Sequence, residues 1–147
     1  TKNARQLKVP FQVVQCHGQP DPVYLKVAGA TAEGTIMPST KLMVASQLSD
    51  KDPQKKVELA FAKEFKKRGY GELSTHSGYA WDAIQLIANG VRKAGTNPDK
   101  LRAAIEQIKN YVGVSGIYNM SKSDHTGLDY NSLVMVTVKN GKWVMIK

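Results

Sequence analysis

The spacing of hydrophobic residues changes period twice along this chain. Val9 to Gln15 reads V-P-F-Q-V-V-Q, a β-branched and aromatic run closed by Gly18, Pro20 and Pro22, which predicts a strand running into a loop. The small apolar stretch Val23 to Ala32 predicts a short helix, and Glu33 to Pro38 a second short strand that ends at its proline. After the polar stretch Ser46 to Asp52 the period becomes helical. Asp52 can cap free amides while Pro53 takes the first helical position, Val57, Phe61 and Phe65 recur every four residues, and Gly69 supplies the stop. A second helix starts near Ser74 or Thr75 and keeps Tyr79, Ala80, Ala83, Ile84, Ile87, Val91 and Ala94 at helical spacing up to Gly95. Asn97 and Pro98 repeat the cap-and-proline device, and Leu101, Ala104, Ile105 and Ile108 give a third amphipathic helix.

Beyond Ile108 the pattern returns to strand. Gly116 to Met120 precedes a polar loop with Asp124, His125, Gly127 and Asp129, and Leu133 to Val138 is continuously apolar, as in a strand buried on both faces. Asn140 and Gly141 separate that run from Trp143 to Ile146, the signature of a two-residue hairpin. The order predicts an α/β architecture of three helices flanked by short strands and a C-terminal β-hairpin. No internal repeat appears, and the strands are too few for a complete doubly wound domain.

Composition narrows the picture. At 147 residues, with 41% hydrophobic and 22% charged residues, the chain has the make-up of a globular protein with one core. No apolar run approaches the roughly 18 residues needed to cross a bilayer. The chain starts at Thr1 without a basic and apolar leader, so any targeting peptide is expected to have been removed or to lie outside this sequence, and the N-terminus does not give the location. Lys and Arg outnumber Asp and Glu by 21 to 12, a net charge of +9 that raises the question of a polyanionic partner. The cations are scattered, however, and the densest group, Lys63, Lys66, Lys67 and Arg68, closes a predicted helix, where positive charge favours the dipole. No nucleic-acid partner is expected.

Candidate chemistry is sparse. Cys16 stands alone, so no internal disulfide can form. Cys16 and His17 are adjacent and would point to opposite faces of a strand, while His76 and His125 lie far off in sequence, so no metal-ligand spacing and no Cys-His nucleophile is recognised. Neither phosphate-binding glycine motif is present, so no cofactor and no catalytic constellation are expected, and the chain reads as a binding protein rather than an enzyme. What remains is Gln15, Cys16, His17 and Gly18, polar positions at the carboxyl end of the first strand, where open α/β sheets place their ligand crevices.

An ordered series of short motifs covers nearly the whole chain: V-A-G-A-T-A-E-G-T (27 to 35), D-K-D-P-Q-K (50 to 55), H-S-G-Y-A-W-D-A-I (76 to 84), V-G-V-S-G-I-Y-N-M-S (112 to 121), D-H-T-G-L (124 to 128) and V-K-N-G-K-W (138 to 143). In this series the chain resembles the C-terminal part of the type I periplasmic binding proteins, the branched-chain amino-acid transporter substrate-binding family in its broad sense. The resemblance implies two α/β lobes that close on a small-molecule ligand by a hinge motion. Segments of about 9–35 and 128–147 would belong to the second lobe and about 39–118 to the first, with a crossing near Ile36 to Ser39 and Tyr79, Asp82 and Ala83 as scaffold. It further implies a bacterial, periplasmic or extracytoplasmic protein that delivers its solute to an ABC transporter permease. The alternative is a ligand-sensing domain of the same fold in a receptor or regulator.

The loop Gln15, Cys16, His17 and Gly18 matches the cleft position where amino-acid-binding members place a carboxylate against the ligand ammonium, and His17 stands at or beside that place. An imidazole cannot pair with an ammonium as a carboxylate does, which points away from an aliphatic α-amino acid and toward a carboxylate-bearing or aromatic acid. A piece of such a protein would also leave apolar lobe faces exposed, which would be covered either by a second copy in a homo-oligomer or by the remaining part of the protein, cleaved from this chain.

Overall fold

The computed structural model describes residues 1–146. Five α-helices, α1 (Lys2–Gln6), α2 (Pro22–Ala28), α3 (Pro53–Lys67), α4 (Thr75–Ala94) and α5 (Pro98–Glu106), combine with two small antiparallel sheets. The first sheet has the order β1-β4-β5, built from β1 (Ile36–Thr40), β4 (Leu133–Lys139) and β5 (Lys142–Met145), and the second pairs β2 (Tyr111–Val112) with β3 (Ile117–Tyr118). The expected α/β architecture of three long helices, flanking strands and a closing hairpin is present. β1 runs on through Pro38 to Thr40 instead of ending there, as an edge strand permits.

Local chemistry fixes the helix starts as expected. The Asp52 carboxylate accepts from Gln54 N at 2.9 Å and Asn97 Oδ1 accepts from Lys100 N at 3.1 Å, each with proline next in the chain. Asn140 and Gly141 have φ of 52° and 68°, which makes the β4–β5 link a type I′ turn. Both amides of that turn donate to the Glu33 carboxylate, at 3.0 and 2.6 Å. Glu33→Ala is therefore expected to lower stability by about 1 kcal/mol in urea unfolding without altering the hairpin register.

Two hydrophobic clusters form. One gathers Ala28, Ala32, Met37, Val44, Val136, Val138 and Trp143 under the three-stranded sheet, with Tyr24 stacked on Trp143 at 5.9 Å. The other places Leu86, Tyr118 and Met120 between α4, α5 and the short β2–β3 hairpin. The segment Lys41–Gln47 is tied to β5, because Gln47 donates to Trp143 O and accepts from Met145 N, both at 2.9 Å.

Three expectations are corrected. Val9 to Gln15 is not a strand: Val14 makes one parallel bridge to Ile36, and Phe11 and Val14 are exposed. A ladder needs a neighbour along its length, and this segment meets β1 at Ile36 alone, through Gln15 N to Ile36 O at 2.9 Å and Ile36 N to Val13 O at 3.1 Å. β4 is not buried on both faces, since Val136 and Val138 are buried while Met135 is exposed, the one-sided pattern of an antiparallel sheet. The apolar stripes of α3 and α4 are also turned the other way from a simple core. α3 buries Gln54 and Glu58 while Phe61 and Phe65 are half-buried, and α4 buries Thr75, Gly78, Asp82, Leu86 and Gly90 while Ile84 is 62% exposed. The polar partners of Asp82 decide this orientation: its carboxylate accepts from Val114 N, Ser115 N and the Tyr118 hydroxyl at 2.9, 2.7 and 3.2 Å.

Candidate functional site

The segment Val13–Gln19 runs off its contact with β1 into a turn closed by Gln19 N donating to Cys16 O at 3.2 Å. Pro20 is buried, and Asp21 then caps α2 by accepting from Val23 N at 2.7 Å. This chemistry holds the loop rigidly against α2. Across from it stands the start of α4, where Ser74 and Ser77 form a reciprocal cap and His76 and Tyr79 follow one turn apart on one face.

Between these elements lies a cavity of about 650 Å³. Its polar wall includes Lys2, Asn3, Gln15, Gln19 and His76, and its apolar wall is the α2 face formed by Val23, Tyr24, Val27 and Ala28. Gln15 donates to Thr1 Oγ1 at 3.3 Å, and that hydroxyl lies 2.9 Å from the Tyr24 hydroxyl, so the floor is already hydrogen-bonded. His17 meets Tyr79 edge-on, with ring centroids 6.4 Å apart and planes at 87°. Burial and then the charge of Asp82 raise the Tyr79 phenol above its ordinary value, so it remains a hydroxyl donor across the physiological range.

Of the four residues singled out from sequence, Gln15 and Gly18 line the cavity. His17 is exposed and faces α4 through Tyr79, and Cys16 is a free, exposed thiol outside the lining. His76 and Tyr79 were not selected by sequence reasoning; the first was set aside as remote in sequence and the second as scaffold. A His and a Tyr three apart at a capped helix start were the available signal.

A second, more apolar hollow of about 440 Å³ lies between α3 and α4, lined by Val57, Phe61, Phe65, Tyr70, Trp81 and Val114 among others. Among the described residues no three His, Cys, Asp or Glu side chains converge as a metal site would require, and no helix is long and apolar enough to cross a membrane.

The sequence pattern of the family described as periplasmic binding protein matches residues 2–142. The chain belongs to this family. No curated protein matches it, but solved periplasmic binding proteins and receptors do. An extracellular ligand-binding receptor from Rhodopseudomonas palustris is 31% identical with a TM-score of 0.86, over 97% of this chain and 42% of that one. A type 1 periplasmic binding protein from Bordetella pertussis, 24% identical, superposes with a TM-score of 0.76 over 99% of this chain and 41% of that one. A leucine-binding protein from Thermotoga maritima, 22% identical, shares the fold at a TM-score of 0.76 over 99% and 39%. The resemblance drawn from the motif series is thus borne out for family and fold, and the chain spans about two-fifths of the length of these relatives.

Proposed function

We propose that this chain contributes the loop Gln15–Gln19 and the start of α4 to the ligand cleft of an extracytoplasmic solute-binding protein, which captures a small organic solute for an ABC importer. The observation that carries the reading is the 650 Å³ cavity, because its walls come from elements anchored in two different hydrophobic clusters. α2 belongs to the cluster under the sheet and α4 to the cluster around Tyr118, so a small rotation between them would open or close the space on a solute. A cavity of this size suits a ligand of amino-acid to aromatic-acid dimensions. Segments of about 9–35 and 128–147 would then form one lobe and about 39–118 the other, with β1 in the crossing. The extracellular ligand-binding receptor among the relatives supports both the role and the location outside the cytoplasm.

The test is thermal unfolding of the full-length protein containing this chain against a panel of amino acids, aromatic acids, dicarboxylates and sugars. A solute present at 100 times its dissociation constant adds about 2.7 kcal/mol, a rise of several degrees. A shift confined to one chemical class is expected. No shift with any class, together with salt-sensitive binding to nucleic acid, would overturn the reading.

A further inference from the structure

We infer that the outward face of α3 is a contact surface for an anionic phospholipid bilayer. The inference goes beyond the solute reading and rests on it only for placing the chain beside a membrane importer. At 3.6 residues per turn, Lys56, Lys63 and Lys67 fall within about 40° of one another on α3, and Lys66 and Leu59 widen the stripe to about 100°. All four lysines are exposed, and Leu59 is 41% exposed among them. From Lys56 to Lys67 the stripe runs about 16 Å along the helix. The acidic residues of α3 lie off it. Glu58 is buried on the inward side, and Glu64 sits at the flank, 3.8 Å from Lys67 Nζ and 3.5 Å from Arg68 Nε.

Helix physics explains only part of this charge. Lys66 and Lys67 close α3, where cations favour the dipole, but Lys55 and Lys56 stand in its first turn, where the dipole opposes them. Lys55 has a local use, donating to Leu48 O at 2.8 Å and pairing with Asp50 at 2.7 Å, whereas Lys56 is exposed. The side of α3 with apolar surface still to bury is the opposite one, where Phe61 and Phe65 border the hollow toward Trp81. Packing protein on the stripe instead would strip the water from four ammoniums. Lysines are hydrated point charges on flexible stems, which suit a diffuse field of headgroup phosphates better than a discrete carboxylate or base edge. Leu59 between them supplies the apolar contact that a basic helix face makes at the headgroup boundary. The net charge of +9 steers the chain to such a surface, and the stripe decides which side meets it.

The experiment is co-sedimentation of the full-length protein with vesicles of phosphatidylcholine, alone or mixed in equal parts with phosphatidylglycerol, at low and high salt and with duplex DNA as competitor. Two triple variants accompany it. One carries Lys56→Gln, Lys63→Gln and Lys67→Gln on the stripe; the other carries Lys26→Gln, Lys100→Gln and Lys122→Gln, which remove the same charge from other elements. All six lysines are exposed, so both variants are expected to melt with the parent protein. The parent should bind the mixed vesicles and leave them at high salt. With each lysine at a bilayer contributing about fivefold, the stripe variant should bind about a hundredfold more weakly and the dispersed variant within about tenfold of the parent. Equal weakening by the two variants would overturn the stripe in favour of net charge alone. No preference for the anionic vesicles, or tighter binding to duplex DNA than to them, would overturn the lipid surface. The solute reading stands or falls separately, by the unfolding shift, which the stripe variant should retain in full.

Discussion

Asp82→Ala is expected to destabilise the protein by about 3–5 kcal/mol in urea unfolding. Asp82 is fully buried, and its two oxygens accept from two backbone amides and one phenol in the segment 114–118. Alanine would leave Val114 N, Ser115 N and the Tyr118 hydroxyl without their buried acceptor. The fit is close on the other side as well, since a Cβ at Gly113 would lie 2.8 Å from Asp82 Oδ2. Burial and the Asp82 charge raise the Tyr118 phenol far above its ordinary value, so Tyr118 keeps its proton and donates it to Asp82. Tyr118→Phe should consequently lose only about 1–2 kcal/mol, because Asp82 keeps both amides. A loss below about 1 kcal/mol for Asp82→Ala would mean that the β2–β3 hairpin is held to α4 mainly by apolar contact.

Glu58→Gln is expected to make the protein more stable above about pH 8 and to remove a slope in its pH dependence. Glu58 is 0% exposed, and neither carboxylate oxygen has a hydrogen-bond partner. Burial, and then the charge of Asp52, push its carboxyl up to about 8 from 4.5, with Lys41 opposing and Asp82 adding to the rise. Lys41 is itself paired to Asp52 at 2.9 Å, which limits its help to Glu58. The folded state thus holds a proton that the unfolded chain releases. Stability from this group is complete below about pH 4.5, falls as pH rises toward about 8, and is flat above it. The loss is on the order of a few kcal/mol. Urea midpoints of both proteins from pH 5 to 9 should converge at the acid end and diverge at the alkaline end, and parallel curves would contradict this placement of Glu58.

What could be read from sequence was local, and what could not was set by distant contacts. Asp52 with Pro53, Asn97 with Pro98, and Asn140 with Gly141 each encode their geometry within three residues, and all three devices are in place. The facing of α3 and α4 is not local. Periodicity assigns Phe61, Phe65, Ile84 and Ile87 to a core, but Asp82 turns toward the amides of Val114 and Ser115 and carries the helix with it. The apolar stripe left outward borders the hollow at Trp81, in a chain that spans two-fifths of its relatives' length. Val9 to Gln15 has a strand's composition and lacks a continuous neighbour, so β-propensity alone did not make a ladder. At the cavity, polar positions after the first apolar run pointed to Gln15 and Gly18, whereas His76 reaches its wall, and Tyr79 the neighbouring His17, only through the packing of α4 against that loop.

The most direct test of the cleft is backbone hydrogen exchange of the full-length protein with and without the solute that raises its unfolding temperature. Slower exchange is expected at Gln15–Gln19 and at Ser74–Gly78 together, since a solute held between them must order both. Protection confined to the α3–α4 hollow around Phe65 and Trp81, with these two segments unchanged, would place the solute elsewhere and contradict the cleft described here.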